Sequence, residues 1–131
     1  MPLETTIIDI SSGPVNITES GSYTITGTTN SNHITVAVSG DVYFIFDNLT
    51  IREKIQKRDC MTITQGNVYV TLQGTNVIEA HQDGVGCAVK INTGAHLYFS
   101  VDSNDPDGSI LLHGTSLYGG GSAAVEGGIY I

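Results

Sequence analysis

At 131 residues, with 40% hydrophobic and 14% charged side chains, the chain suits one packed domain spanning 1–131 and is too apolar for a disordered segment. A formal net charge of −8 argues against nucleic acid or an anionic membrane as the main partner. No apolar run approaches transmembrane length, and Met1-Pro2-Leu3-Glu4-Thr5-Thr6 has neither the basic nor the apolar region of a secretory signal.

Along the chain, Ile8-Asp9-Ile10 reads as the first strand of a repeat, and Gly13-Pro14-Val15-Asn16-Ile17 as the forerunner of a unit that then recurs with a tyrosine. That unit is a glycine, a short spacer and apolar-Tyr-apolar. It returns at Gly40-Asp41-Val42-Tyr43-Phe44, Gly66-Asn67-Val68-Tyr69-Val70, Gly94-Ala95-His96-Leu97-Tyr98-Phe99 and Gly127-Gly128-Ile129-Tyr130-Ile131. The glycines advance by 27, 26, 28 and 33 residues, and a period in this range is the signature of a stacked repeat. Each repeat divides into three short strand-like runs: Ile34–Val38, Val42–Phe46 and Leu49–Ile51; Met61–Ile63, Val68–Leu72 and Asn76–Ile78; Val89–Ile91, Leu97–Val101 and Ile110–Leu112.

Side chains alternate across a strand, so Val42, Phe44 and Phe46 point one way while Tyr43 and Ile45 point the other. The pattern predicts an all-β chain, a right-handed parallel β-helix of three strands per turn and about five turns. Its interior columns are Val42/Val68/Leu97/Ile129, Phe44/Val70/Phe99/Ile131 and Phe46/Leu72/Val101. A sandwich built from hairpins would show two-residue Asn-Gly or Asp-Gly turns at its junctions, which most junctions here lack; Asp83-Gly84 and Asp107-Gly108 are exceptions and fall inside longer loops. A stack stopping at Ile131 exposes strand edges, which predicts a homo-oligomer or a larger parent solenoid that continues it.

Two cysteines lie about one repeat apart, but Cys60 aligns with Ala88 rather than Cys87, which disfavours a disulfide. The chain has no Cys-x-x-Cys pair and no Cys/His cluster, so a structural zinc site is not expected.

The runs Gly21-Ser22-Tyr23-Thr24-Ile25-Thr26-Gly27-Thr28, Ile34-Thr35-Val36 and Asn48-Leu49-Thr50-Ile51 resemble the opening of a clostridial family of β-helical carbohydrate-binding domains. Leu72-Gln73-Gly74-Thr75-Asn76 is similar to that family's leucine followed by a Gly-Thr-x-Asn turn, and Ser122-Ala123-Ala124-Val125 to its next strand. The resemblance covers most of residues 20 to 128. It implies non-catalytic binding of acidic plant polysaccharide such as polygalacturonate, and bound calcium. The expected location is extracellular or at a cell surface, or in a virion.

Three groups of residues are candidate sites. Tyr43, Tyr69, Tyr98 and Tyr130 should form a ladder on an outer sheet face, at about 4.8 Å per rung. Tyrosine offers an apolar ring to the C–H face of a sugar and a hydroxyl to its polar edge, although stacked tyrosines also stabilise a sheet by themselves. Arg52, Lys54 and Arg58 fall in the basic stretch 52–58, which holds four of the five Lys and Arg residues and could pair with uronate carboxylates. Ile55 hints that this stretch rests on the helix as a short amphipathic turn. Asp102, Asp105 and Asp107 offer calcium its preferred oxygen ligands, in a loop where Ser103, Asp105, Asp107 and Gly108 echo an EF-hand without its final glutamate. An ordinary Asp-Gly turn explains the same letters.

No paired carboxylates with a strand-borne base emerge, and His33, His81, His96 and His113 have no nucleophile at motif spacing, so the chain does not read as an enzyme. The expectation is a polysaccharide-binding module. Its rival is a self-assembling structural protein of a virion appendage or surface fibre, which the Met1 start and the open C-terminal edge favour.

Overall fold

The structure, a computed structural model, describes residues 5–55, 58–81, 86–114 and 122–125, the last of these as backbone only. Ten strands run β1 (Thr5–Asp9), β2 (Val15–Ile17), β3 (Gly21–Thr29), β4 (Ile34–Arg52), β5 (Met61–Gln73), β6 (Thr75–Glu79), β7 (Val89–Asn92), β8 (His96–Val101), β9 (Ser109–His113) and β10 (Ser122–Val125). The one helical element among the described residues is a single 3-10 turn at Ile10–Ser12. The chain is therefore all-β. Among the described residues eight of nine strand pairings are parallel, so the sheet is largely parallel, as the repeat predicted.

The pairings sort the strands into three columns. In the first, Val15, Ile34, Met61 and Val89 stand in register, with Ile17, Val36, Ile63 and Ile91 two residues on. The second joins β1, β3, the middle of β4, the end of β5 and β8, aligning Tyr23, Phe44, Val70 and Phe99. In the third, Thr29, Ile51, Ile78 and Leu112 align. Parallel neighbours let identical phases of the alternation stack, so one face of every column is apolar and all three bury it in one shared core. Phe44 and Phe46, packed at 5.5 Å and both fully buried, contribute about 1.5–3 kcal/mol each by leaving water.

Corners are fixed by backbone demands that only certain residues meet. Gly66 (φ 81°) joins the first column to the second, and a Cβ there would lie 2.1 Å from the Val38 carbonyl oxygen. One repeat earlier Asn48 (φ 51°) turns the second column into the third, where its Oδ1 accepts from the Thr75 N–H. Asn76, fully buried, ties three successive repeats together. Its Oδ1 accepts from Leu49 N–H at 2.8 Å, and its Nδ2 donates to the Gln73 and Ser109 carbonyls, each at 3.1 Å.

Four expectations need correction. Val15–Ile17 pairs with Ile34–Val36, so it belongs to the first column and is no forerunner of the tyrosine unit; the true equivalent is Gly21–Ile25. Ile8 and Asp9 pair with Ile25 and Thr26, which puts the opening strand in the second column, not the first. Ser122–Val125 pairs antiparallel to Val89–Asn92, so the chain has reversed direction and does not add a further parallel strand there. Val101, assigned to the interior, is 40% exposed, and Leu97 and Phe99 are only half-buried. The reason is that β8 pairs with β5 along one edge and no strand follows it in that column among the described residues. Ile129, Tyr130 and Ile131 lie outside the described residues.

Candidate functional site: a stacked tyrosine face

The outward phase of the second column carries the tyrosines. Register places Thr5, Ser22, Tyr43, Tyr69 and Tyr98 at one level of five adjacent strands. Tyr43 and Tyr69 stack with ring centroids 5.1 Å apart and planes 15° from parallel, and Tyr69 and Tyr98 at 5.0 Å and 12°. Tyr43 is 44% and Tyr98 49% exposed, with Tyr69 half-buried between them. Three of the four expected rungs thus come together; Tyr130 lies outside the described residues.

Face-to-face stacking changes what the ladder can offer. The rings spend their faces on one another, so toward solvent the stack presents ring edges and hydroxyls, and ring faces are left only at its ends. Enclosure by its neighbours raises the Tyr69 pKa, and the charge on Asp41 and the flanking phenols push the same way. The central hydroxyl therefore stays a neutral donor and acceptor.

Beside the rings runs a second row, Asp41, Asn67 and His96, where Asn67 Nδ2 donates to Asp41 Oδ1 at 3.0 Å and His96 stacks near Tyr98 at 6.3 Å. On the other side lie Ile45, Thr71 and Ser100, then Asp47 and Gln73. No Lys or Arg stands in these rows. Alternation in the sequence places all of them on the tyrosine face, since Asp41 and Asn67 stand two residues before Tyr43 and Tyr69.

The basic residues do not join this face. Arg52 ends the third column, where it aligns with Glu79 and His113 and its guanidinium lies 3.4 Å from the Glu79 carboxylate. Lys54 is exposed one loop further on, its N–H donating to the Asn30 carbonyl. Arg58 borders a depression beside His33, Thr35 and Thr62, in the first column. Ile55 is exposed rather than resting on the fold.

The acidic loop is held by its own hydrogen bonds. Asp102 Oδ1 accepts from Asn104 N–H at 2.8 Å and its Oδ2 from Gln73 Nε2 at 3.2 Å, while Asp105 Oδ2 accepts from Gly74 N–H at 2.7 Å. Asp107 is exposed, and no group of three or more His, Cys, Asp or Glu among the described residues is placed to hold a metal ion. These residues do not fit a calcium site as they stand.

Two features escaped sequence reasoning. His33 Nε2 contacts the fully buried carboxylate of Glu53, whose other oxygen accepts from Ile55 N–H at 3.0 Å. His33 stands just before the first-column run at Ile34 and Glu53 just after the third-column run ending at Arg52, and sequence spacing does not bring these two ends together. Tyr23 is the other: it packs on Phe44 at 6.1 Å on the inward phase, and its hydroxyl donates to the Glu19 carbonyl. The signal was available, since Tyr23 follows its glycine by two residues where Tyr43 and Tyr69 follow theirs by three. Cys60 and Cys87 are both buried and are not joined in a disulfide, and Met61 N–H donates to the Ala88 carbonyl in the expected register.

Compared with protein-family models, curated proteins and solved structures, the chain matches none.

Proposed function

We propose that the chain is a right-handed parallel β-helix acting as a non-catalytic polysaccharide-binding module, with Tyr43, Tyr69 and Tyr98 as its contact face. The observation that carries this reading is the exposed, near-parallel stack of three rings flanked by Asp41, Asn67 and His96. Aromatic surface with hydroxyl and carboxylate partners beside it matches the two-sided chemistry of a sugar, which is apolar above its C–H bonds and a donor at its hydroxyls. The three in-register columns support the β-helix, and so does the resemblance to clostridial carbohydrate-binding domains. An acidic polysaccharide would draw on Arg52, Lys54 and Arg58, which stand off the tyrosine face, so charge pairing is secondary to ring contact in this reading.

Affinity electrophoresis against polygalacturonate and neutral glucans, with and without calcium, tests it. Retention by at least one glycan should fall when Tyr69 and Tyr98 are both changed to Ala with the fold intact. No retention by any glycan, with or without calcium, would end the reading.

A second reading, a self-assembling structural protein of a virion or surface fibre, draws on the half-exposed apolar surface at Leu97, Phe99, Val101 and Leu111. Under it, light scattering would give a mass several times that of the chain and no glycan would be retained.

A further inference from the structure

The tyrosine stack stops abruptly. Tyr43 is its end ring, and the next two levels of the same row hold only Ser22 and Thr5. Tyr69 covers one face of Tyr43; the opposite face has no aromatic neighbour among the described residues. Strands repeat at about 4.8 Å, so a further ring at the Ser22 level would stack on Tyr43 at the spacing the tyrosines keep among themselves.

The surface is hollow at that place. A depression of about 260 Å³ is bordered by Thr5, Ser22, Tyr43, Ile45, Tyr69 and Thr71. Another, of about 360 Å³, lies on the far side of Tyr43 against Ser20, Gly21 and Asp41. Each is near or below the low end of drug-sized pockets, a scale that suits one ring.

Resting on the carbohydrate reading above, we infer that this step is a terminal subsite for one neutral pyranose ring, stacked on the free face of Tyr43 above Ser22. The C–H face of the sugar covers the tyrosine, and its hydroxyls meet the Ser22, Thr5 and Ser20 hydroxyls and the Asp41 carboxylate, which accepts from Asn67 and has acceptor capacity left. Neutrality follows from the surroundings. Asp41 is the ionisable group bordering the two hollows beside the tyrosines themselves, Asp47 and Asp9 lie further along the same face, and no cation stands in these rows. A uronate carboxylate would face like charge; a sugar hydroxyl would find an acceptor.

The discriminating variant is Ser22→Tyr, which extends the stack by one ring and fills the subsite while leaving Tyr69 and Tyr98 untouched. Methyl β-D-glucopyranoside, cellotetraose and tetragalacturonate are titrated into 15N-labelled protein and followed by amide shifts. The neutral sugars should perturb Ser22, Gly21 and Tyr43, and Ser22→Tyr should weaken them at least tenfold, as should Tyr43→Ala through loss of the stacking face. Asp41→Asn should narrow the preference for neutral over acidic sugar. Sugar-induced shifts centred on Tyr98 and unchanged by Ser22→Tyr would overturn the subsite yet keep the carbohydrate reading. Tetragalacturonate binding at Ser22 as well as the neutral sugars do would overturn its neutrality, and no shifts from any of the three would overturn both.

Discussion

Asn76→Leu should be among the most damaging single substitutions in the chain, because it removes a side chain that bonds three repeats at once. Leucine has nearly the same shape and fills the same fully buried space, so the change isolates the polar contribution. It leaves the Leu49 N–H without its acceptor and takes a donor from the Gln73 and Ser109 carbonyls. A buried donor stripped of its partner costs about 1–3 kcal/mol, and two carbonyls that retain other lone-pair capacity add less each, so the total loss is about 3 kcal/mol. With a urea slope of about 2 kcal/mol per M for a domain of this size, the midpoint should fall by about 1.5 M with the slope unchanged. The control is Asn67→Ala. It breaks a 3.0 Å bond to Asp41 on the open tyrosine face and should cost under about 0.5 kcal/mol. Equal midpoints for the two variants would refute the idea that Asn76 spans the stack from within.

Two further outcomes follow from the backbone and the thiols. Gly66→Ala and Gly94→Ala both force alanine to positive φ, at 81° and 88°, but an added Cβ at Gly66 meets the Val38 and Gly40 carbonyl oxygens while at Gly94 it meets nothing within 4 Å. Thermal melts should show the left-handed penalty of about 1–2 kcal/mol at Gly94 and a clearly larger one at Gly66, and the reverse order would contradict the corner geometry. Burial pushes the Cys60 thiol up to about 12, with the Glu53 and Asp59 charges adding to the effect. The folded state therefore keeps a proton that the unfolded state gives up from about pH 9, so stability is full below that pH and declines from there toward 12. Tyr69 contributes in the same direction. Melting temperature should drop between pH 9 and 11 and drop less in Cys60→Ala; parallel curves would show that Cys60 is not buried as described.

The fold was legible where the sequence is periodic in both phases. Val42, Phe44 and Phe46 alternate with the outward-facing Tyr43 and Ile45 and recur as Val68, Val70 and Leu72, so the strands, the parallel register and most of the core follow from spacing alone. Reading failed where a local motif imitated the repeat. Gly13-Pro14-Val15-Asn16-Ile17 has the glycine and the alternation of the tyrosine unit, but the pairing partner decides the column, and that contact is some twenty residues away. Val101 failed for a related reason, since alternation gives the direction of a side chain and not whether a strand lies beyond it. The candidate site divides in the same way. Tyr43, Tyr69 and Tyr98 were placed by phase, whereas Arg52, Lys54 and Arg58 are neighbours in sequence that leave the third column and return at the first.

Under the proposed subsite, the step at Ser22 would separate a sheet that merely packs from one that also holds a ligand ring. Cross-strand pairs contribute about 0.2–1 kcal/mol each, and the adjoining row of Thr24, Ile45, Thr71 and Ser100 obtains that benefit from modest side chains. Stabilisation alone would be served by a tyrosine at every level, because each added ring covers the exposed face of the last. Instead the row runs Thr5, Ser22, Tyr43, Tyr69, Tyr98, which leaves an uncovered aromatic face bordered by hydroxyls and a carboxylate. Leaving that face wet forfeits apolar burial worth about 25 cal/mol per Å². A ligand ring that covers Tyr43 recovers this term without rearranging the sheet, so affinity at the step should depend on the size of residue 22 more than on any charge in the chain.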